Sequence, residues 1–76
     1  MTLSQFREHM NHLVGCVNFT YNGYSCGVDP FDRNNYDVWY GDDCVTVHSV
    51  EDILMVKIFD GKTLSEIWDD VTECDY

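Results

Sequence analysis

Basic residues are what this chain has least of. Four Lys and Arg stand against fourteen Asp and Glu, a formal net charge of -10 over 76 residues. So few cations argue against direct contact with nucleic acid or anionic membrane and favour a basic protein surface as partner. Long apolar runs are also missing. The longest, Ile53 to Val56, is four residues, against the roughly 20 a membrane-spanning helix needs. No basic start followed by an apolar stretch marks a leader at the N-terminus, so the expected location is cytoplasmic. There is one proline and no repeat, linker or low-complexity tract, so residues 1–76 read as a single domain. A chain of that length buries roughly 60 to 65% of the surface its unfolded form exposes.

Motifs that would announce chemistry are absent as well. The four cysteines, Cys16, Cys26, Cys44 and Cys74, form no CxxC pair, and their wide spacing reads as reduced thiols, with a secreted two-disulfide domain as the rival reading. His9 and His12 stand three apart with Cys16 beyond, but a closed zinc site wants four ligands and neither CxxC nor HxxxH is present. Asp29, Asp32, Asn34 and Asp37 carry oxygens for calcium without the glycine and the bidentate Glu that an EF-hand loop requires. Cys44 and His48 share a strand face with backbones about 13 Å apart, too far for a nucleophile and its base. No cofactor, metal or catalytic residue is expected, and the chain reads as non-enzymatic.

What is present is apolar content and periodicity. Hydrophobic residues make up 45% of the chain, eleven of them aromatic, enough to separate it from disordered acidic tails. Thr2-Leu3-Ser4-Gln5 has the form of a capping box, and Leu3, Phe6, Met10, Leu13 and Val14 recur at helical spacing, predicting a helix from Leu3 to Val14 that Gly15 ends. From Cys16 the period becomes two. Val17, Phe19 and Tyr21 lead into Asn22-Gly23, the strongest short hairpin signal. A two-residue turn there pairs Tyr21 with Tyr24, Phe19 with Cys26 and Val17 with Val28, all on one face.

Asp29 to Asn35 is rich in turn formers and reads as a loop. Tyr36, Val38 and Tyr40 then alternate with Asp37 and Trp39, and Gly41-Asp42-Asp43 turns the chain into Cys44 to His48. Ser49 caps a second helix that Phe59-Asp60-Gly61 ends. Thr63-Leu64-Ser65-Glu66 opens a third, with Leu64, Ile67, Trp68 and Val71 as its face. The last residues, Thr72 to Tyr76, fray or add an edge strand. The expected fold is therefore α+β, in two layers: an N-terminal helix, an antiparallel sheet of about four strands in hairpins, and two short C-terminal helices. In that arrangement Trp39 stands exposed beside Asp37 on the open face of the sheet.

The charge is lopsided. Residues 1–41 hold four acids and two bases, a net of -2, and residues 42–76 hold ten acids and two Lys, a net of -8. Asp52 and Glu66 serve helix caps and Asp60 precedes a terminating glycine, whereas Asp69, Asp70, Glu73 and Asp75 have only Lys62 nearby and repel one another. A cost without local compensation points to a partner that relieves it. Spaced carboxylates on a rigid scaffold imitate the phosphates of duplex DNA, about one charge per 1.7 Å of axis. The candidate partner-binding residues are Asp37, Trp39, Asp42, Asp43, Glu66, Asp69, Asp70, Glu73 and Asp75, the aromatics Trp39, Tyr40, Tyr36 and Phe31 supplying anchors.

The segments Val28-Asp29-Pro30-Phe31, Asp37-Val38-Trp39-Tyr40-Gly41-Asp42 and Phe59-Asp60-Gly61-Lys62-Thr63-Leu64-Ser65-Glu66-Ile67 resemble those of small uncharacterised acidic proteins of phages and mobile elements in gut Firmicutes. Phage-borne acidic proteins of this size include inhibitors of restriction and CRISPR nucleases. The resemblance favours an inhibitor without naming its target, and the lopsided charge makes the expected mode that of a DNA mimic occupying the basic nucleic-acid-binding surface of a nuclease or similar protein. The alternative is a small structural or regulatory interaction domain whose contact is the aromatic hairpin region and whose charge confers solubility.

Overall fold

The first helix begins where its cap is complete. In the computed structural model, which describes residues 1–12 and 15–75, the Thr2 hydroxyl accepts from the Gln5 amide while the Gln5 side chain accepts from the Thr2 amide. Helix α1 runs from there over Leu3–Asn11 and buries Phe6 and Met10. The expected extension to Leu13 and Val14 lies outside the described residues.

Five antiparallel strands follow in the spatial order β4-β3-β2-β1-β5, where β1 is Val17–Tyr21, β2 Tyr24–Asp32, β3 Asn35–Tyr40, β4 Asp43–Val47 and β5 Thr72–Asp75. The first hairpin has the register that Asn22-Gly23 dictates: Tyr21 faces Tyr24, Phe19 faces Cys26 and Val17 faces Val28. Both turn residues adopt positive φ, 55° at Asn22 and 81° at Gly23, the requirement of a twist-matched two-residue turn. At the β3–β4 turn Gly41 alone is positive, and Tyr40 pairs with Asp43.

The segment expected as a loop, Asp29 to Asn35, is mostly strand. Asp29 pairs with Asp37 and Pro30 with Tyr36, leaving only Arg33 and Asn34 in the turn. Proline is tolerated because β1 starts at Val17, opposite Val28, so Pro30 lies on a stretch of β2 with no neighbour on its other side. The pairing shifts between Pro30 and Asp32, and the Asp32 carboxylate closes the turn by accepting from the Asn34 amide at 2.7 Å.

Helix α2, Val50–Met55, is capped by the Ser49 hydroxyl at the Asp52 amide and is shorter than expected. Past Met55 the chain extends, and Phe59 and Lys62 bond reciprocally around Asp60-Gly61, both with positive φ. Asp-Gly here is a hairpin turn rather than a helix stop, and it delivers Phe59, fully buried, to the core. Helix α3, Leu64–Ile67, has the capping box of Thr63 and Glu66, and a 3-10 turn over Trp68–Asp70 leads into β5. The C-terminal segment thus forms a fifth strand, against β1.

One cluster of buried residues joins the two layers: Phe6 and Met10 from α1, Val17, Phe19, Cys26, Val28, Tyr36, Val38 and Val47 from the sheet, Ile53 and Leu54 from α2, and Phe59, Leu64, Ile67 and Trp68; Tyr36, expected as a partner anchor, is thus a core residue. Trp68 packs on Phe6 at 5.3 Å between ring centroids and edge-on to Phe19 at 5.9 Å. Its indole N–H donates to the Met1 carbonyl, tying the first residue to the 3-10 turn before β5. The alternate strand positions face away from this core, so the sheet has one covered and one open face.

Candidate functional site

Most of the candidate acids fall in two zones: the open face with the β5 edge, and one end of the sheet. On the open face, Cys44, Trp39, Gly27, Asn18 and Asp75 form a row of paired positions across all five strands. Trp39 is half-buried rather than exposed as the alternation alone implied. Its indole lies over Gly27, where a side chain would otherwise stand. The next row places Asp37 beside Thr46, whose hydroxyl donates to the Asp37 carboxylate at 2.7 Å, and opposite Asp29. Like charges set directly across strands are destabilising, and the Thr46 bond offsets part of that cost at Asp37.

Strand β5 is an edge that carries Glu73 and Asp75, and Asp69 and Asp70 stand in the 3-10 turn before it. Asp69, Asp70, Glu73 and Asp75 are all exposed, and six residue steps span at most about 20 Å. Glu73 does have a local role. It holds a positive φ of 53° where the pairing with β1 shifts, and its carboxylate accepts from the Thr20 hydroxyl at 3.1 Å. A bulge with charge on an edge strand blocks further sheet pairing.

The end of the sheet gathers more carboxylates than the sequence suggested. The turns at Asn22-Gly23 and Gly41-Asp42 close hairpins at the same end, Asp60-Gly61 joins them, and β5 starts there because Thr72 pairs with Thr20. Asp42, Asp43 and Asp60 surround a cleft of about 350 Å³, with Tyr24, Tyr40 and Gly41 in its walls and Asn22 at its lip. Asp69 and Asp70 precede β5 at this same end. The single Arg among the sheet turns, Arg33, lies at the opposite end of β2 and β3.

Of the residues expected to meet a partner, Asp42, Asp43, Asp69 and Asp70 are therefore brought to one end, Glu73 and Asp75 continue along the β5 edge, and Asp37 and Trp39 stand on the open face. Glu66 is engaged as a helix cap. Its carboxylate accepts from the Thr63 amide, which holds its pKa below the usual carboxylate range. Asp60 and Tyr24 belong to the end site and were not anticipated. Asp60 reads as a helix terminator until Asp-Gly is recognised as a turn. Tyr24 has the inward parity of the core but lies past its cover, at 52% exposure.

Other candidate chemistry does not assemble. His9 donates to the Gly15 carbonyl at 3.0 Å, and His9 and His12 line a shallow depression of about 500 Å³ that Cys16 does not enter. Among the described residues no three His, Cys, Asp or Glu converge on a point that would hold a metal ion. His48 donates to the Asn34 carbonyl rather than facing Cys44. All four cysteines are free: Cys16 and Cys44 are exposed, Cys74 is half-buried, and Cys26 is buried with its thiol pKa raised by desolvation. No helix among the described residues is long and apolar enough to cross a membrane. Comparison with family models, curated proteins and solved structures finds no match to this chain.

Proposed function

We propose that this protein is a non-enzymatic binding module that occupies the basic, nucleic-acid-binding surface of a partner protein, as an acidic inhibitor of the kind phages and mobile elements carry. The observation that carries the reading is the exposed series of Asp69 and Asp70 in the 3-10 turn and Glu73 and Asp75 on the edge strand that follows it, with Asp42, Asp43 and Asp60 at the sheet end. Such a series is costly in isolation and is relieved by a cationic groove, which also accelerates encounter. Its scaffold is rigid, since the edge strand is bonded to β1 and the preceding turn is pinned by buried Trp68.

A tagged pull-down at low and high salt tests the reading, with Asp69→Lys/Asp70→Lys as the control. The expected capture is a nuclease or other nucleic-acid-binding protein, lost with added salt and lost on charge reversal. The alternative, an interaction domain held by apolar contact, gains one observation: Tyr24 and Phe31 are exposed, at 52% and 66%. Its complex would resist salt, and because Trp39 is spent on Gly27, its anchors would be those two rings.

A further inference from the structure

The cleft at the sheet end has features that an acidic surface alone does not explain. Its two aromatic walls are held by a continuous series of ring contacts that begins in the core: Phe19 meets Phe59 at 6.0 Å, Phe59 meets Tyr40 at 5.9 Å, and Tyr40 meets Tyr24 at 5.0 Å in an edge-on arrangement. The Asn22 side chain donates to the Tyr40 hydroxyl at 3.2 Å, fixing that ring from the other side. Gly41 brings backbone against Tyr24: a Cβ there would approach its Cδ1 to 3.1 Å. Tyr24 is thus positioned by packing while about half of its surface stays open to solvent. Asp42, Asp43 and Asp60 share the cleft, and no basic residue lines it.

A fixed, exposed aromatic ring among three carboxylates selects a cation. The carboxylates do not converge as ligands of a metal ion, which leaves an extended cation that meets a ring and the acids at once. A guanidinium has that shape: planar, weakly hydrated, able to stack on an aromatic face and to direct several N–H donors at separate carboxylates. We infer that the Tyr24–Tyr40 cleft is the seat for an arginine side chain of the partner. The inference rests on the proposed binding of a basic protein and names the contact that orients it. The ring and its supports are already ordered, so little entropy is lost on seating the side chain.

The test is a titration of the full chain with the blocked tripeptide Gly-Arg-Gly, followed by amide chemical shifts, beside Gly-Lys-Gly and Gly-citrulline-Gly. The expected result is arginine-dependent shifts at Tyr24, Gly41, Asp42, Asp43 and Gly61, smaller ones with lysine and none with citrulline. Tyr24→Leu should weaken the arginine peptide about two- to fivefold while Tyr24→Phe restores it. Equal shifts from arginine and lysine, shifts spread evenly to Glu73 and Asp75, or unchanged affinity in Tyr24→Leu would overturn the assignment. Asp69→Lys/Asp70→Lys should leave the cleft shifts in place. Failure of the cleft with salt-sensitive partner capture intact removes the seat alone, whereas cleft binding with no such partner removes the wider function.

Discussion

The Trp39 indole fills the space where Gly27 lacks a side chain. The two residues are directly paired on β2 and β3, and a Cβ on Gly27 would fall inside the indole's six-membered edge and 2.7 Å from the Val17 carbonyl oxygen. The φ of Gly27 is not in the left-handed region, so the requirement is space. Gly27→Ala should destabilise the fold by about 2 kcal/mol, read from urea unfolding. In a Trp39→Ala background the same change should cost less, because the two shortest contacts, both with the indole, are gone while that with the Val17 carbonyl stays.

The Thr63–Glu66 box carries α3, which has only four residues. Thr63→Ala should cost about 1 kcal/mol of stability, with the loss visible in the same urea transition.

Glu66 and Asp32 both have pKa values held below the usual carboxylate range, Glu66 by hydrogen bonds from Thr63 and Asp32 by hydrogen bonds from Asn34 and Asn35. A carboxylate whose folded pKa is depressed stabilises the fold above its unfolded value and loses that contribution as pH falls through the folded one. The stability advantage of the native chain over Asp32→Ala should therefore shrink between about pH 5 and pH 3. An advantage unchanged across that range would show that the Asn34 and Asn35 bonds do not favour the ionised form.

Thiol reactivity should divide by exposure. Cys16 and Cys44 are exposed, whereas burial raises the thiol pKa of Cys26 and of Cys74. A disulfide reagent near pH 8 should modify two thiols quickly and the other two slowly, with Cys26 last and only as the core opens.

Local chemistry made much of this fold legible. The Asn22-Gly23 turn and the alternation around it set the first hairpin's register residue for residue, and both capping boxes form as written. The misreadings share one cause, which is that turn formers do not state what lies beside them. Pro30 could be placed in a strand only by knowing that β1 starts opposite Val28 and leaves Pro30 without a neighbour on that side. Asp60-Gly61 stops a helix or turns a hairpin depending on where Phe59 must go, and the core decides. The site was legible as charge but not as shape. Asp69 to Asp75 were evident from composition, yet the gathering of Asp42, Asp43 and Asp60 around Tyr24 depends on three turns meeting at one sheet end, which is a tertiary fact.

Net charge should also show in stability without any partner. The acids of residues 42–76 repel one another, so moving from low salt to about 0.5 M NaCl should raise the melting temperature by screening. Asp69→Asn/Asp70→Asn should reduce that gain.

The central claim is that the carboxylate edge takes the place of nucleic acid on a basic protein. The most direct measurement is competition: a nucleic-acid-binding protein captured at low salt is loaded with labelled duplex DNA, and this protein is titrated in. Displacement of the DNA that weakens steeply with salt and disappears in Asp69→Lys/Asp70→Lys is the predicted result. A captured partner that keeps its DNA, or releases it equally to the charge-reversed variant, would contradict the claim and return the acids to the role of a solvated surface.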